Sequence, residues 1–156
     1  MDSYNAQAAT DCKSCPPGSY CDQLGLTGPA GGCTQGYFCT SGAITPTPLV
    51  VDPVSNLFGP CPAGFYCPAA SPYPVPCLAG TFSAALVATS SSTCTPCTPG
   101  HYCGADALTA EEGLCDPGYY CPSGSQSPRP YQLECLPGQY CPTGSSSVTS
   151  CPSGTY

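Results

Sequence analysis

Sixteen of the 156 residues are Cys, and their spacing decides what chemistry the chain can do. Closely spaced thiolates either hold a soft metal or oxidise to disulfides. Metal modules need clustered C-x2-C pairs with His or further thiols nearby. Here only Cys12/Cys15 and Cys94/Cys97 have that spacing, they lie far apart, and the chain has one His. The thiols therefore read as a disulfide framework made in an oxidising compartment, with no metal or other cofactor. C-x2-C pairs also serve as redox sites, but nothing suggests the βαβ setting that activates such thiols. His101 has no acid or base partner at catalytic spacing and reads as an ordinary side chain. Asp106, Glu111, Glu112 and Asp116 form the one acidic cluster. It lacks EF-hand spacing and reads as a solvated loop. No catalytic set is visible, and the chain is not expected to be an enzyme.

The elements that position these cysteines cannot rely on an oily core. Leu, Ile, Val and Phe make up 21 of 156 residues, Trp is absent, and Pro and Gly number 21 and 18. That is too little aliphatic surface to offset the entropy of ordering a domain of this length. Only 7% of residues are charged and there are 11 Tyr, which is not the composition of a disordered chain. Cross-links are the natural substitute for the missing core. The net charge of −7 argues against nucleic acid and anionic membrane. No window is apolar enough to span a bilayer. Residues 1–11 have neither the basic start nor the apolar stretch of a signal peptide, so the expectation is either that the numbering begins after an export signal was removed or that the chain is a piece of a longer one.

One pattern recurs: C-x-x-G-x-[Tyr/Phe], usually followed at once by another Cys. Copies begin at Cys15, Cys33, Cys61, Cys77, Cys97, Cys115, Cys135 and Cys151, making one tandem array of eight short repeats with elastic spacers. Pro precedes the glycine in four copies, and Pro-Gly suits the centre of a type II turn, whose second residue needs positive φ. Gly18, Gly36, Gly64, Gly80, Gly100, Gly118, Gly138 and Gly154 are therefore read as backbone requirements. The aromatic that follows (Tyr20, Phe38, Tyr66, Phe82, Tyr102, Tyr120, Tyr140 or Tyr156) starts an extended segment. Its ring can lie over a disulfide or a bare glycine of a neighbouring repeat. The spacers read Cys-Pro-x-Gly/Ala-Ser before Ser/Thr/Pro-rich tails. Helix is expected to be almost absent; Thr109–Glu112 resembles a capping box, but Gly113 stops it.

Two pairing schemes account for the cysteines. The first joins Cys15–Cys21, Cys33–Cys39, Cys61–Cys67, Cys97–Cys103, Cys115–Cys121 and Cys135–Cys141. It closes the fourth copy as Cys77–Cys94, and it leaves Cys12 and Cys151 to pair outside the segment. The second crosses the spacers, as in Cys21–Cys33 and Cys67–Cys77, and needs two tight C-x2-C bridges. The first is preferred because Ser83, standing where a Cys is missing, coincides with the extra Cys94. It implies a chain cut mid-repeat at both ends.

The segment Cys77-LAGTFSAALVATSSST-Cys94-TP-Cys97 resembles the ephrin-receptor-like cysteine-rich repeat. It is similar also to the first half-module of tumour-necrosis-factor-receptor cysteine-rich domains, in which the opening Cys pairs with the Cys after the loop. That resemblance supports Cys77–Cys94. The other copies look like the variant found in long arrays of protist and algal surface proteins. The resemblance implies an extracellular, EGF-like or TNFR-like disulfide-rich fold and brings no catalytic residues.

The expected architecture is an elongated irregular rod of small disulfide-rich repeats with short β segments and turns, each touching mainly its neighbours. The expected function is structural: a secreted, cell-surface or fibre-forming segment, for instance of a flagellar hair. Its partners are copies of itself or related repeat proteins in a homo- or hetero-polymer. A ligand-binding or adhesion ectodomain of a receptor is the alternative. Ile44, Leu49, Val50, Val51, Val54, Leu57 and Phe58, the richest aliphatic stretch, are candidates for a lateral interface, set against a local cluster over nearby disulfides. Ser and Thr total 33, and no N-linked sequon is present. Candidate O-glycan sites are Thr45, Thr47, Ser71, Ser127, Ser145, Ser146 and Ser147.

Overall fold

The computed structural model describes residues 12–49 and 57–156. The described chain is a succession of two- and three-residue strands joined by turns: β1 (Ser19–Tyr20), β2 (Gly31–Gly32), β3 (Tyr37–Cys39), β4 (Phe58–Pro60), β5 (Phe65–Tyr66), β6 (Val75–Pro76), β7 (Thr81–Phe82), β8 (Thr95–Pro96), β9 (His101–Tyr102), β10 (Gly113–Leu114), β11 (Gln139–Tyr140) and β12 (Thr149–Ser150). Among the described residues the only helical element is one 3-10 turn, Ser91–Thr93. The capping-box signal at Thr109–Glu112 forms no helix. Two compact units result. One ends at Val75 and takes in Leu86–Ser91; the other comprises Pro76–Ala85 and Ser92–Tyr156.

Each repeat begins with the turn its sequence calls for. The amide two residues before each aromatic's following position closes an i to i+3 bond, as in Ser19 N–H to Pro16 O at 3.1 Å and His101 N–H to Thr98 O at 3.0 Å. All eight motif glycines have positive φ, between 77° and 91°. The chain then runs into a short strand whose last or middle residue is the aromatic, one residue earlier than the pattern alone indicates. That strand pairs antiparallel with the residues just ahead of the next opening Cys. The registers are Tyr20 with Gly31, Phe38 with Gly59, Phe82 with Thr95, Tyr102 with Gly113 and Tyr140 with Thr149. The Tyr20 and Tyr102 rings lie on the bare glycine opposite: a Cβ on Gly31 or Gly113 would sit 3.1 Å from the ring's Cε1.

The bridges follow the first scheme. Six close a separation of 6 residues, and Cys77–Cys94 closes one of 17, with Cα–Cα distances from 5.5 to 6.4 Å. Cys12 and Cys151 are unbridged. The spacer-crossing alternative is excluded, since Cys21, Cys33, Cys67 and Cys77 all have other partners. Sulfur occupies the place of a core. Among the described residues the largest fully buried side chains are all Cys, at positions 33, 39, 61, 67, 77, 97, 103, 115 and 121. Four aromatic rings cover two of these bridges. Tyr20 and Phe58 pack on Cys33, Cys39 and Ala43. Phe38, itself buried, packs with Phe65 on Cys61 and Cys67. At these two junctions the ring of one repeat covers the disulfide of the next.

Contact also reaches beyond adjacent repeats. A Cβ on Gly80 would lie 2.6 Å from the carbonyl oxygen of Gly124, two repeats on, and one on Gly36 would lie 2.8 Å from that of Val87. Gly100 is pressed in the same way by Gly144, whereas Gly118 has φ +87° and none of the described residues beyond its chain neighbours lies within 4 Å of a Cβ built on it. The two constraints are therefore separable. Gly118→Ala tests the left-handed backbone alone and is expected to cost about 1–2 kcal/mol. Gly100→Ala adds a backbone clash and is expected to cost clearly more in denaturant unfolding of the oxidised chain. Equal losses would contradict this assignment.

Candidate functional site

The recurring functional unit is the junction between consecutive repeats, built from backbone groups that the disulfide loop holds in place. At the junction of the first and second repeats, Gly18 N–H donates to Cys39 O at 2.7 Å and Gly18 O accepts from Cys33 N–H at 2.9 Å. Gly42 N–H donates to Cys15 O at 3.1 Å, and Cys21 N–H donates to Ala43 O at 2.8 Å. The same four bonds recur wherever both repeats lie in one unit and have all their residues. At the next junction they start from Gly36 N–H to Cys67 O, at 2.7 Å, and in the second unit from Gly80, Gly100 and Gly118 to Cys103, Cys121 and Cys141, each at 2.8 Å. The opening Cys, the turn glycine and the closing Cys all serve as backbone clamps, so the bridge that fixes their spacing also fixes the docking geometry.

The second clamp residue was not singled out in the sequence. It is Gly42, Ala70, Val87, Ala107, Gly124 or Gly144, and every one has positive φ, from 56° at Val87 to 78° at Gly124. Its N–H donates back to the opening Cys of the preceding repeat, as in Ala70 to Cys33 at 2.8 Å and Gly124 to Cys97 at 2.9 Å. The available signal was the Cys-Pro-x-Gly/Ala-Ser spacer. The Ser of that spacer caps the turn, its hydroxyl donating to the Pro carbonyl three residues back. The distances are 2.7 Å for Ser71 to Pro68, 2.7 Å for Ser125 to Pro122 and 2.6 Å for Ser145 to Pro142.

The residues with chemical potential are dispersed and tied to backbone. Asp106 Oδ1 accepts from Ala79 N–H at 2.8 Å, Glu111 Oε1 from Thr98 N–H at 2.7 Å and Glu112 Oε2 from Gly104 N–H at 2.8 Å. Asp116 pairs with the exposed Arg129 at 2.6 Å. The acidic cluster is thus four separate loop ties. Among the described residues, no three His, Cys, Asp or Glu side chains gather to hold a metal ion. His101 Nδ1 lies 3.2 Å from Thr98 Oγ1, and its Nε2 lies 3.7 Å from Glu111. An open groove of about 420 Å³ runs along Pro122–Ser127 to Pro130, Tyr131 and Leu133. Three of its polar side chains are engaged, Ser123 with Cys97 O, Ser125 with Pro122 O and Gln126 with Ala79 O.

The candidate interface splits. Phe58 packs inward and Leu57 is half-buried, while Ile44 and Leu49 are 73% and 78% exposed. Val50, Val51 and Val54 lie outside the described residues. Of the candidate O-glycan sites, Ser146 and Ser147 are exposed. Thr45, Thr47, Ser127 and Ser145 are half-buried, and Ser71 is buried with its hydroxyl bonded. No protein-family model matches the chain, and no curated protein matches it. Among the described residues no helix is long and apolar enough to cross a membrane.

The Glu111 tie gives a pH dependence with a definite sign. The bonds from Thr98 hold its carboxyl below the ordinary carboxylate range, and His101 adds to this. A lowered folded-state value means that the tie is fully present above the unfolded value of about 4.3 and is lost as pH falls through the lower folded one. Protection of the Thr98 amide from hydrogen exchange, corrected for intrinsic rate, should decline below about pH 4. In Glu111→Gln it should show no such step. A wild-type amide whose protection stays flat to pH 2 would contradict the tie.

Proposed function

We propose that the chain is a structural segment of an extracellular fibre, cell-surface coat or appendage such as a flagellar hair. The observation that carries this reading is the four-bond junction, repeated with the same partners in both units. Its groups are backbone, so it tolerates the side-chain variation between repeats and can be extended without new chemistry. Seven bridges among the described residues support a secreted origin, because such bonds persist in oxidising surroundings. The family reading, an ephrin-receptor-like or tumour-necrosis-factor-receptor-like repeat in its array-forming variant, rests on the Cys77–Cys97 segment and the Cys77–Cys94 loop it contains.

In this reading the chain is not an enzyme and needs no cofactor. Copies of the chain or of related repeat proteins associate through exposed aliphatics such as Ile44 and Leu49. Exposed hydroxyls, Ser146 and Ser147 first, carry O-linked sugars. The likeness of Cys77–Cys97 to receptor repeats supports the second reading, a ligand-binding or adhesion stalk. Sedimentation velocity on the oxidised chain separates the two. The fibre reading expects oligomers that lengthen with concentration and a drop of at least ~10-fold in association constant for the Ile44→Ser, Leu49→Ser double variant, the effect of losing two buried aliphatic contacts. A chain that is monomeric at every concentration contradicts the fibre and favours the stalk.

A further inference from the structure

The fourth repeat departs from the other bridged repeats at the residues that matter most for redox behaviour. Its bridge closes 17 residues where the others close 6. Four of the short bridges, Cys33–Cys39, Cys61–Cys67, Cys97–Cys103 and Cys115–Cys121, have both cysteines buried. Cys94 is only partly buried, a property shared by Cys21 and Cys135. The loop between Cys77 and Cys94 also carries the clamp for earlier repeats. Val87 N–H donates to Cys61 O at 2.9 Å, and Ala88 O accepts from Cys67 N–H at 2.9 Å. Val87 holds φ 56°. A β-branched residue is strained there and would relax if the loop were freed.

We infer that Cys77–Cys94 is a thiol-sensitive clasp: a small-molecule thiol such as glutathione opens it ahead of the other bridges and so releases the Val87–Ala88 clamp. The thiolate attacks Sγ of the partly buried Cys94, forming a mixed disulfide and expelling the Cys77 thiolate, which takes up the proton that the reagent lost. A second thiol attacks the reagent's sulfur in that mixed disulfide and frees Cys94. Two glutathiones are oxidised to one glutathione disulfide, and one protein disulfide becomes two thiols. Loop entropy acts in the same direction. Once the clamp lets the loop go, a freed 17-residue loop regains more chain freedom than a freed 6-residue one, by about fivefold in the equilibrium constant on the chain-entropy estimate for unfolded loops. Among bridges with a partly exposed sulfur, this separates Cys77–Cys94 from Cys15–Cys21 and Cys135–Cys141.

The test is stepwise reduction of the folded chain in glutathione buffers of increasing reducing power, with rapid alkylation and peptide mapping, followed by hydrogen exchange on the singly reduced product. Cys77 and Cys94 should be alkylated first, with a midpoint at least ~5-fold lower in the thiol-to-disulfide ratio than the other bridges. In that product the Val87 and Cys67 amides should lose protection while the Gly100 amide, which donates to Cys121, keeps it. The Cys77→Ser, Cys94→Ser double variant should reproduce the exchange pattern without reductant. If it does not fold, the alkylated wild type still gives the reading. The inference is overturned if Cys15–Cys21 or Cys135–Cys141 opens first or together with Cys77–Cys94. It is also overturned if the Val87 amide stays protected once that bridge is open.

Discussion

A short disulfide loop that holds two backbone carbonyls and two amides at fixed spacing is what the rest of the molecule depends on. In Cys15–Cys21 the bridge sets the distance between the carbonyl of Cys15, both polar groups of Gly18 and the amide of Cys21, and all four bond to the next repeat. Closing such a loop removes about 2 kcal/mol of unfolded-chain entropy by the chain-entropy estimate. Each backbone bond adds about 1 kcal/mol net when it is made in a partly dried junction. Neither contribution needs apolar side chains, which is why a chain so poor in Leu, Ile and Val can be ordered at all.

The aromatic rings connect these two contributions. Tyr20 and Phe38 each shield the following repeat's sulfurs from water, and that exclusion makes the neighbouring backbone bonds worth more. Where a ring would otherwise hang over empty backbone, a glycine lies beneath it, as Gly31 does under Tyr20. The close approach of Gly124 to Gly80 ties repeats that are not adjacent, so loss of one turn glycine is felt two repeats away. Stability in such an array is shared over short runs of repeats rather than gathered in one centre.

Much of this was legible in the sequence because it rests on residues with few substitutes. Positive φ at the turn calls for glycine, so the eight turns could be read directly, whereas the cysteines narrowed to two pairings, the preferred one turning on the exchange of Ser83 for Cys94. The second left-handed position escaped because it is not confined to glycine, Ala70, Val87 and Ala107 occupying it as well as Gly42, Gly124 and Gly144, and its offset from the preceding motif shifts by one residue at Val87 and Ala107. The reach across two repeats escaped because unequal spacers hide the register. The acidic cluster was seen as one feature, but its members hold separate loops: Asp106, Glu111 and Glu112 accept from backbone amides in three different turns, and Asp116 pairs with the Arg129 side chain.

The central claim is that sulfur bridges, not apolar packing, hold the junctions together. Hydrogen exchange of the junction amides before and after complete reduction and alkylation tests it most directly. The account predicts that Gly18, Gly36, Gly80, Gly100 and Gly118 N–H groups are protected in the oxidised chain and exchange at near-unfolded rates once all bridges are gone. Junction amides that remain protected in the fully reduced, alkylated chain would contradict it.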